Sequence, residues 1–167
     1  MIRPAVVGDA DALGRIHVRS WQVGYKGVFE REFLDGLDIQ ARADWFRRVI
    51  SKGTLVLTAD FEGDPVGFAM VGPARVGDDD WGEVFSIYVD PDFWGEGYGF
   101  RLLTAAEAEL SDEGFERGLL WVLGSNTRAR LFYERQDWDL SRQIKLEQIG
   151  GVQVNEVRYE KDLQSNA

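Results

Sequence analysis

Residues 89–103 read VDPDFWGEGYGFRLL and join the end of a predicted strand to the start of a predicted helix. Three glycines, Gly95, Gly97 and Gly99, occupy alternate positions between the two elements. Glycine tolerates positive φ angles and lets another group approach the backbone closely. The first turn of a helix also presents N–H groups without partners in the helix, together with a partial positive charge. This combination predicts a cradle for a pyrophosphate group that needs no basic side chain.

Three phosphate-binding motifs combine glycines with the start of a helix, and two of them do not fit. The dinucleotide fingerprint G-x-G-x-x-G fails because Phe100 occupies its last glycine position, and because it normally follows the first strand of a fold. The P-loop ends in G-K-[S/T], which this stretch lacks. The third pattern, [Q/R]-x-x-G-x-[G/A], binds the pyrophosphate of coenzyme A, and residues 94–99 align with it as WGEGYG.

Hydrophobic periodicity extends outward from this stretch over the whole chain. Alternating or continuous apolar runs predict strands, and apolar residues at helical spacing predict helices. The predicted strands are 2–7, 54–59, 66–71, 83–90, 118–123, 141–148 and 152–160, and the predicted helices are 10–24, 39–51, 98–113 and 126–135. Residues 24–37 are predicted to be irregular. The order predicts a single α/β domain over residues 1–167, whose mixed, mostly antiparallel sheet contains one central strand-helix-strand unit.

The composition excludes several classes of site and partner. The 167 residues carry 19 basic and 29 acidic side chains, and this net charge of −10 argues against non-specific binding of nucleic acid. The chain has no cysteine and one histidine, His17, which excludes disulfides, thiolate zinc sites, cysteine nucleophiles and multi-histidine metal centres. No run approaches the ~20 apolar residues of a membrane span, and the N-terminus lacks a signal-peptide stretch. We therefore expect a cytoplasmic protein that binds no metal, membrane or nucleic acid.

Several separated segments resemble the GCN5-related N-acetyltransferase (GNAT) superfamily. Residues 87–103 are similar to its acetyl-CoA-binding motif, and the helix pattern N-x-x-A-x-x-F-Y is matched by Asn126, Ala129, Phe132 and Tyr133. The segments IRPAVVGDADAL and VNEVRYEKDL also resemble the two ends of family members. The resemblance implies direct transfer of an acetyl group from acetyl-CoA to a primary amine of a small molecule, peptide or protein. It also suggests a homodimer.

The resemblance implies roles for individual residues. Backbone groups of Ile87, Tyr88 and Val89 would contact the pantetheine arm and polarise the thioester carbonyl. Tyr133 would lie near the sulfur and protonate the departing thiolate. The other positions would surround the pyrophosphate or contact the coenzyme from the following helix: Trp94, Gly95, Glu96, Gly97, Tyr98, Gly99, Phe100, Asn126 and Phe132.

Four positions depart from the family pattern. Trp94 replaces the usual Gln or Arg, which removes a side-chain donor at the phosphates. Glu96 stands where a basic residue is common and repels phosphate, an effect that Arg101 offsets. Phe100 is larger than the usual small residue, and Asp137 replaces a frequent glycine. None of the four blocks a cradle that is made of backbone groups.

The attacking amine must lose a proton, and the predicted base is Glu83, acting through a water. Strict strand alternation places Glu83 on the same face as Ile87 and Val89. A bulge, which the family is known for in this strand, would reverse that parity. Aromatic residues are the predicted lining of the acceptor pocket, although such residues also form ordinary cores: Trp21, Tyr25, Phe29 and Phe85.

Other interpretations of these residues stay open. The glycines could form only a tight turn, Tyr133 could be a core residue, and Glu83 could be a solvated strand residue. The acidic residues 78–80 are expected to be a solvated loop. At the level of function, the alternatives are a non-catalytic acyl-CoA-binding or sensing domain, a transferase for another acyl chain or a hydroxyl acceptor, and an unrelated α/β binding domain.

Overall fold

A computed structural model describes residues 1–75, 77 and 80–163. The described strands are β1 Ile2–Pro4, β2 Leu55–Phe61, β3 Asp64–Pro73, β4 Trp81–Val89, β5 Arg117–Leu123, β6 Asp139–Ile149 and β7 Val152–Asp162. The described α-helices are α1 Ala10–Gly24, α2 Arg31–Asp35, α3 Ile39–Ser51, α4 Tyr98–Asp112 and α5 Thr127–Arg135. Asp78 and Asp79, from the acidic run predicted as a loop, lie outside the described residues.

The strands form one seven-stranded sheet in the order β1-β2-β3-β4-β5-β7-β6. Every neighbouring pair is antiparallel except β4 and β5, which are parallel. A parallel pair needs a crossover connection, and α4 supplies it. The predicted mixed, mostly antiparallel sheet with a central strand-helix-strand unit is therefore confirmed.

Helices cover both faces of the sheet. On one face α4 buries a row of side chains at helical spacing, each at most 1% exposed: Leu102, Leu103, Ala106 and Leu110. On the other face Leu13 and Ile16 of α1 and Phe46 of α3 pack with Phe68 of β3. The two helices approach closely at Gly14, where a Cβ would lie 2.8 Å from the backbone nitrogen of Ala43. This close contact sets the position of α1, whose last turn reaches the middle of the sheet.

Most predicted elements agree with the structure, and the differences have local causes. The first strand ends at Pro4 rather than residue 7, because the Asp9 carboxylate accepts a hydrogen bond from the Val6 N–H at 2.8 Å and forms a turn. Residues 24–37 are not wholly irregular, since they contain the short helix α2 with Leu34 buried. The β2–β3 turn is tighter than predicted because Gly63 takes a φ of +92°.

A bulge in β4 changes which side chains share a face. Met70 pairs with Ser86 while the next residue, Val71, pairs with Val84, so β4 carries one extra residue. As a result Val84 faces α4 together with Ile87 and Val89. The strict alternation that placed Glu83 on the Ile87 face is therefore wrong, because the bulge reverses the parity.

Candidate active site

A gap opens in the sheet between β4 and β5. Parallel pairing joins only residues 81–83 of β4 to residues 117–119 of β5. Two cavities lie at this gap, a large cavity of about 610 Å³ and a small cavity of about 230 Å³. They meet where the same residues line both: Tyr25, Ile87, Tyr88, Asn126, Ala129 and Tyr133.

The glycine turn and the start of α4 line one part of the large cavity. Gly95 and Gly97 have φ angles of +81° and +86°, which side chains other than that of glycine rarely adopt. The Arg101 N–H donates to the Gly97 carbonyl at 3.1 Å, so the N–H groups of the preceding helical residues need other partners. Such an unpaired helix start suits an anion, which agrees with the predicted phosphate cradle.

The other positions in this segment differ in their exposure to the cavity. Tyr98 is buried, with its ring 5.9 Å from that of Phe93 and the Arg101 guanidinium 4.4 Å from its centre. Phe100 lines the cavity and is 51% exposed. Glu96 is exposed and lies outside the lining of the large cavity, so its predicted contact with the coenzyme has no support from the fold.

The edge of β4 presents backbone groups to the gap. The Asp90 N–H donates to the Val66 carbonyl of β3 at 2.8 Å, so by alternation the backbone of Tyr88 also pairs with β3. The N–H and C=O groups of Ile87 and Val89 consequently face the gap. This corrects the prediction for Tyr88, which contributes its side chain and not its backbone to the cavities.

One of these gap-facing groups is already occupied. The Val89 carbonyl accepts hydrogen bonds from Ser20 Oγ at 3.0 Å and from Trp94 Nε1 at 2.7 Å. Ser20 belongs to α1, so the two bonds tie that helix and the glycine turn to the end of β4. The Val89 carbonyl is therefore held by the protein, and the backbone of Ile87 and the Val89 N–H are the β4 groups that remain to face the gap.

Helix α5 places three motif residues at the gap. Asn126 caps the helix, because its Oδ1 accepts the Ala129 N–H at 3.1 Å. The Phe132 ring packs over Gly99, and a Cβ on Gly99 would lie 3.5 Å from that ring. Because Gly99 has no side chain, α4 and α5 can pack closely here. Tyr133 lies where the cavities meet, and burial raises its pKa, so the phenol keeps its proton at neutral pH.

The small cavity has aromatic walls and a charged rim. Trp21 from α1, Tyr25 directly after α1 and Phe85 from β4 line it, and their role on the acceptor side stays a prediction. Phe29 does not line either cavity. It is 4% exposed and stacks behind Trp21 at 5.8 Å, so its effect on a ligand is indirect. The rim carries both signs of charge: Arg75, Lys145, Glu147 and Glu156.

Glu83 is held by an arginine. Its side chain is 3% exposed and accepts hydrogen bonds from Arg75 Nη2 at 2.6 Å, from Nε at 3.2 Å and from the backbone N–H at 3.3 Å. Glu83 lines neither cavity, whereas Arg75 lines the small one. The fold therefore separates Glu83 from the cavities by its arginine partner, and its role as base stays a prediction.

Glu156 is a carboxylate at the small cavity that the sequence interpretation missed. It lies on β7, only 18% exposed at its side chain, with Lys145 Nζ 3.7 Å away. Burial raises the pKa of Glu156, and the nearby Lys145 offsets only part of that rise. The signal that could have found it is the alternation of β7, which puts Glu156 on the same face as Val152 and Val154.

Arg128 is the second residue that the sequence interpretation missed. It lines the large cavity, and its guanidinium carbon lies 3.6 Å from the centre of the Trp94 ring. Its place two residues after Asn126, inside the recognised helix motif, was the available signal. Its contact with Trp94 depends on how α5 approaches the glycine turn, which no local pattern encodes.

This combination of a parted β4–β5 pair, a glycine turn and the α5 motif can be compared with known proteins. The sequence pattern of the acetyltransferase (GNAT) family matches residues 13–138. The chain belongs to this family. The matched region of this GNAT domain runs from α1 to just beyond α5. It therefore contains all six residues that line both cavities.

Relatives of this GNAT protein extend over nearly its whole length. An uncharacterized N-acetyltransferase of Bacillus subtilis strain 168 is 28% identical over 157 residues, which cover 93% of this chain and 89% of that protein. The crystal structure of an N-acetyltransferase from Staphylococcus aureus Mu50 has a TM-score of 0.77 at 21% identity, covering 98% of both chains. The PaiA N-acetyltransferase of Thermoplasma acidophilum, in complex with coenzyme A, has a TM-score of 0.72 at 21% identity, covering 97% of this chain and 98% of that one. The two structures confirm the GNAT fold.

Within residues 1–75, 77 and 80–163, acidic and histidine side chains form no group of three that could hold a metal ion. The helices of the same residues include none with the length and apolar character needed to cross a membrane.

Proposed function

We propose that the protein transfers an acetyl group from acetyl-CoA directly to a primary amine of a small molecule, peptide or protein. The observation that carries this proposal is the gap between β4 and β5, where a glycine turn with an unpaired helix start, a free strand edge and a tyrosine side chain all line the large cavity. Membership of the acetyltransferase family and the relative that contains coenzyme A support the choice of donor.

The donor is proposed to lie along the large cavity. Its pyrophosphate takes the unpaired N–H groups after Gly97, which supply partial positive charge in this acidic protein. Its pantetheine arm runs along β4 and pairs with the gap-facing backbone of Ile87 and the Val89 N–H. The thioester then reaches the meeting point of the cavities beside Tyr133.

The reaction needs one proton donor and one proton acceptor. The amine nitrogen attacks the thioester carbonyl carbon, the C–N bond forms, and the C–S bond breaks with its electron pair on sulfur. We propose that Tyr133 gives its phenolic proton to that sulfur, because it lies where the cavities meet and its raised pKa keeps the hydroxyl protonated at neutral pH. The amine proton leaves to a carboxylate on the acceptor side.

Two carboxylates compete for that proton. Glu83 is the residue predicted from sequence, yet it is occupied by Arg75 and lines neither cavity. Glu156 faces the small cavity, and the raised pKa that burial causes makes it a stronger base. These contacts favour Glu156 as the proton acceptor, with Glu83 retained as the alternative.

Calorimetric titration with acetyl-CoA, followed by thiol release with a panel of primary amines, tests the proposal. We expect saturable binding and turnover with at least one amine. Binding without turnover on any amine would favour the non-catalytic acyl-CoA-binding alternative. Turnover on alcohols, or only with longer acyl donors, would favour the other transferase alternatives, and absence of acetyl-CoA binding would overturn the proposal.

A pair of matched variants decides between the carboxylates. We expect Glu156→Gln to lower kcat/KM about 100-fold and to remove the acidic limb of the pH–rate profile. Glu83→Gln should lower it less than fivefold while reducing thermal stability. The reverse ranking would identify Glu83 as the base.

The expected homodimer and cytoplasmic location are also kept as proposals. β6 is an edge strand of the sheet, and two of its apolar side chains, Ile144 and Leu146, are each 63% exposed. A second copy that covered these residues would remove apolar surface from water. Light scattering of the wild type and of Leu146→Lys measures the oligomeric state, and a monomer in both would contradict the dimer.

A further inference from the structure

The guanidinium of Arg128 stacks on the ring of Trp94, and both residues line the large cavity. The Arg128 guanidinium carbon lies 3.6 Å from the ring centre, well inside the range of ~6 Å for a cation–π contact. The ring itself is fixed, because Trp94 Nε1 donates to the Val89 carbonyl at 2.7 Å. Both side chains line the large cavity beside Gly95 and Gly97. Arg128 is therefore held next to the glycine turn by a rigid support.

The structure describes no carboxylate partner for the charge of Arg128 among residues 1–75, 77 and 80–163. Arg19 and Arg75, by contrast, each have a carboxylate within ion-pair distance. Partial desolvation lowers the pKa of Arg128, and no acidic neighbour raises it. The exposed Glu96 lies outside the lining of the cavity and does not compensate the charge from within. An arginine fixed in place without a counter-charge is well prepared to receive an anion.

We propose that Arg128, positioned by Trp94, binds a phosphate group of coenzyme A. The proposal rests on the proposed use of acetyl-CoA and names the residue that replaces the donor missing at position 94. The backbone N–H groups after Gly97 take one phosphate region, and Arg128 adds a side-chain cation from α5 on the same cavity wall. A guanidinium that contacts a ring through its face keeps its N–H groups at its edge, where a phosphate's oxygens can accept from them.

Trp94 stands where the family pattern has Gln or Arg, and in this proposal Arg128 on α5 supplies the phosphate-binding side chain instead. A Gln or Arg there would contact phosphate directly, whereas Trp94 contacts Arg128 and Arg128 contacts the phosphate. Trp94 acts as a positioning residue, so removing its ring should weaken binding less than removing the cation. The same cavity wall keeps one strong side-chain donor, contributed by a different helix.

The test is calorimetric titration with three ligands that differ in their phosphates: acetyl-CoA, 3′-dephospho-CoA and acetyl-pantetheine. For acetyl-CoA we expect Arg128→Gln to weaken binding about 10- to 100-fold, the worth of a charge-assisted hydrogen bond or pair. Arg128→Lys should lie between the wild type and Arg128→Gln, and Trp94→Leu should weaken binding about fivefold. Acetyl-pantetheine, which has no phosphate, should bind all of these variants equally.

Arg42 offers a matched control. Its guanidinium also lies over a tryptophan, 5.2 Å from the centre of the Trp45 ring, and partial desolvation lowers its pKa too. It belongs to α3 and lines neither cavity. Arg42→Gln therefore removes an arginine–tryptophan stack without touching the large cavity, and it should leave acetyl-CoA affinity within twofold.

The ligands also locate the phosphate. If Arg128→Gln leaves 3′-dephospho-CoA affinity unchanged, Arg128 holds the 3′-phosphate; if it weakens both ligands equally, Arg128 holds the pyrophosphate. Either result supports the proposal. Acetyl-CoA affinity within twofold of the wild type in Arg128→Gln, or an equal loss for acetyl-pantetheine, would overturn it. Binding without turnover would contradict the proposed transferase alone, whereas a wild type that binds none of the ligands would overturn both proposals.

Discussion

The large and small cavities meet at Tyr133 but are built from different parts of the chain. The large cavity uses backbone groups, which come from the glycine turn, the start of α4 and the edge of β4. The small cavity uses side chains brought together from α1, from the four strands β4 to β7 and from the residues that follow α1 and β3: Trp21, Tyr25, Arg75, Phe85, Trp121, Lys145, Glu147 and Glu156. The first is encoded in a short continuous stretch, and the second exists only after folding.

This difference suggests how each cavity tolerates change. A site made of N–H groups depends on φ angles, and most side chains in the glycine turn can vary if those angles are kept. A site made of side chains depends on every neighbour that positions them. We therefore expect changes in the glycine turn to affect the donor alone, and changes around the small cavity to affect the acceptor alone.

The largest expected effect is that of a side chain at Gly97. Valine there opposes a φ of +86° and displaces the N–H groups that should bind phosphate, so acetyl-CoA affinity should fall about 1,000-fold. Gly114 is the matched control, because it follows the other end of α4 with a φ of +96°. Valine at either position should cost about 1–2 kcal/mol of stability, but only Gly97→Val should weaken calorimetric binding. Equal acetyl-CoA affinities in Gly97→Val and Gly114→Val would show that the glycine turn does not form the donor site.

The second effect lies where the two cavities meet. Tyr133→Phe removes the proposed acid, so kcat should fall about 100-fold while the acetyl-CoA Kd stays within threefold. Tyr159 provides the control, since it is fully buried, lies 6.1 Å from Tyr133 ring to ring, and bonds to Glu134 and Arg130 instead of a cavity. Tyr159→Phe should lower the thermal midpoint and leave kcat within twofold. A normal kcat in Tyr133→Phe would remove the tyrosine from the mechanism.

The same difference explains what could be predicted from sequence. The sheet, its central crossover and the residues of the glycine turn follow from patterns within single segments, such as the alternate glycines and the spacing from Asn126 to Tyr133. The family resemblance added the role of the β4 backbone, and the fold confirms that Ile87 and Val89 face the gap. For Tyr88 the backbone role fails, because its N–H and C=O pair with β3.

The acceptor side could be predicted only in part, for physical reasons. The bulge at residue 85 depends on how β3 and β4 pair, and it reversed the face assigned to Glu83. Glu156 reaches the small cavity because β7 pairs with β5, which is a contact between distant segments. Phe29 has the right chemistry but lies behind Trp21. Patterns in sequence give the type of each residue, whereas the tertiary approach decides which of them reach a cavity.

A smaller effect concerns the support of the acceptor side. His17 stacks on Trp21 at 5.5 Å and meets Tyr88 at 5.1 Å, and burial, helped by Arg42, lowers its pKa from 6.5 to about 3. Because the unfolded chain binds a proton more readily, stability is lost as the pH falls through 6.5 towards 3. Between pH 7 and pH 5 this amounts to about 2 kcal/mol.

Denaturant unfolding of the wild type and of His17→Gln over this pH range measures the effect. His17→Gln should be less stable than the wild type at pH 7. Its free energy of unfolding should fall less than that of the wild type between pH 7 and pH 5, because it lacks the histidine that takes up a proton on unfolding. Parallel pH profiles in the two proteins would show that His17 has the same pKa in the folded and unfolded states, so that burial does not lower it.

The smallest effect tests the separation of the two cavities directly. Phe85 lines only the small cavity and Phe100 only the large one, so truncating each ring should affect a different substrate. Phe85→Ala enlarges the acceptor side and frees the Arg75 guanidinium, which lies 5.4 Å from its ring centre. We expect relative rates across an amine panel to change about tenfold, as pocket contacts of this size do, with the acetyl-CoA Kd unchanged. Phe100→Ala should change that Kd up to threefold and leave the ranking of amines as it was. If Phe85→Ala weakens acetyl-CoA binding, or Phe100→Ala changes the ranking of the amines, the two cavities are energetically coupled. Donor binding and acceptor choice would then not be separable into a backbone site and a side-chain site.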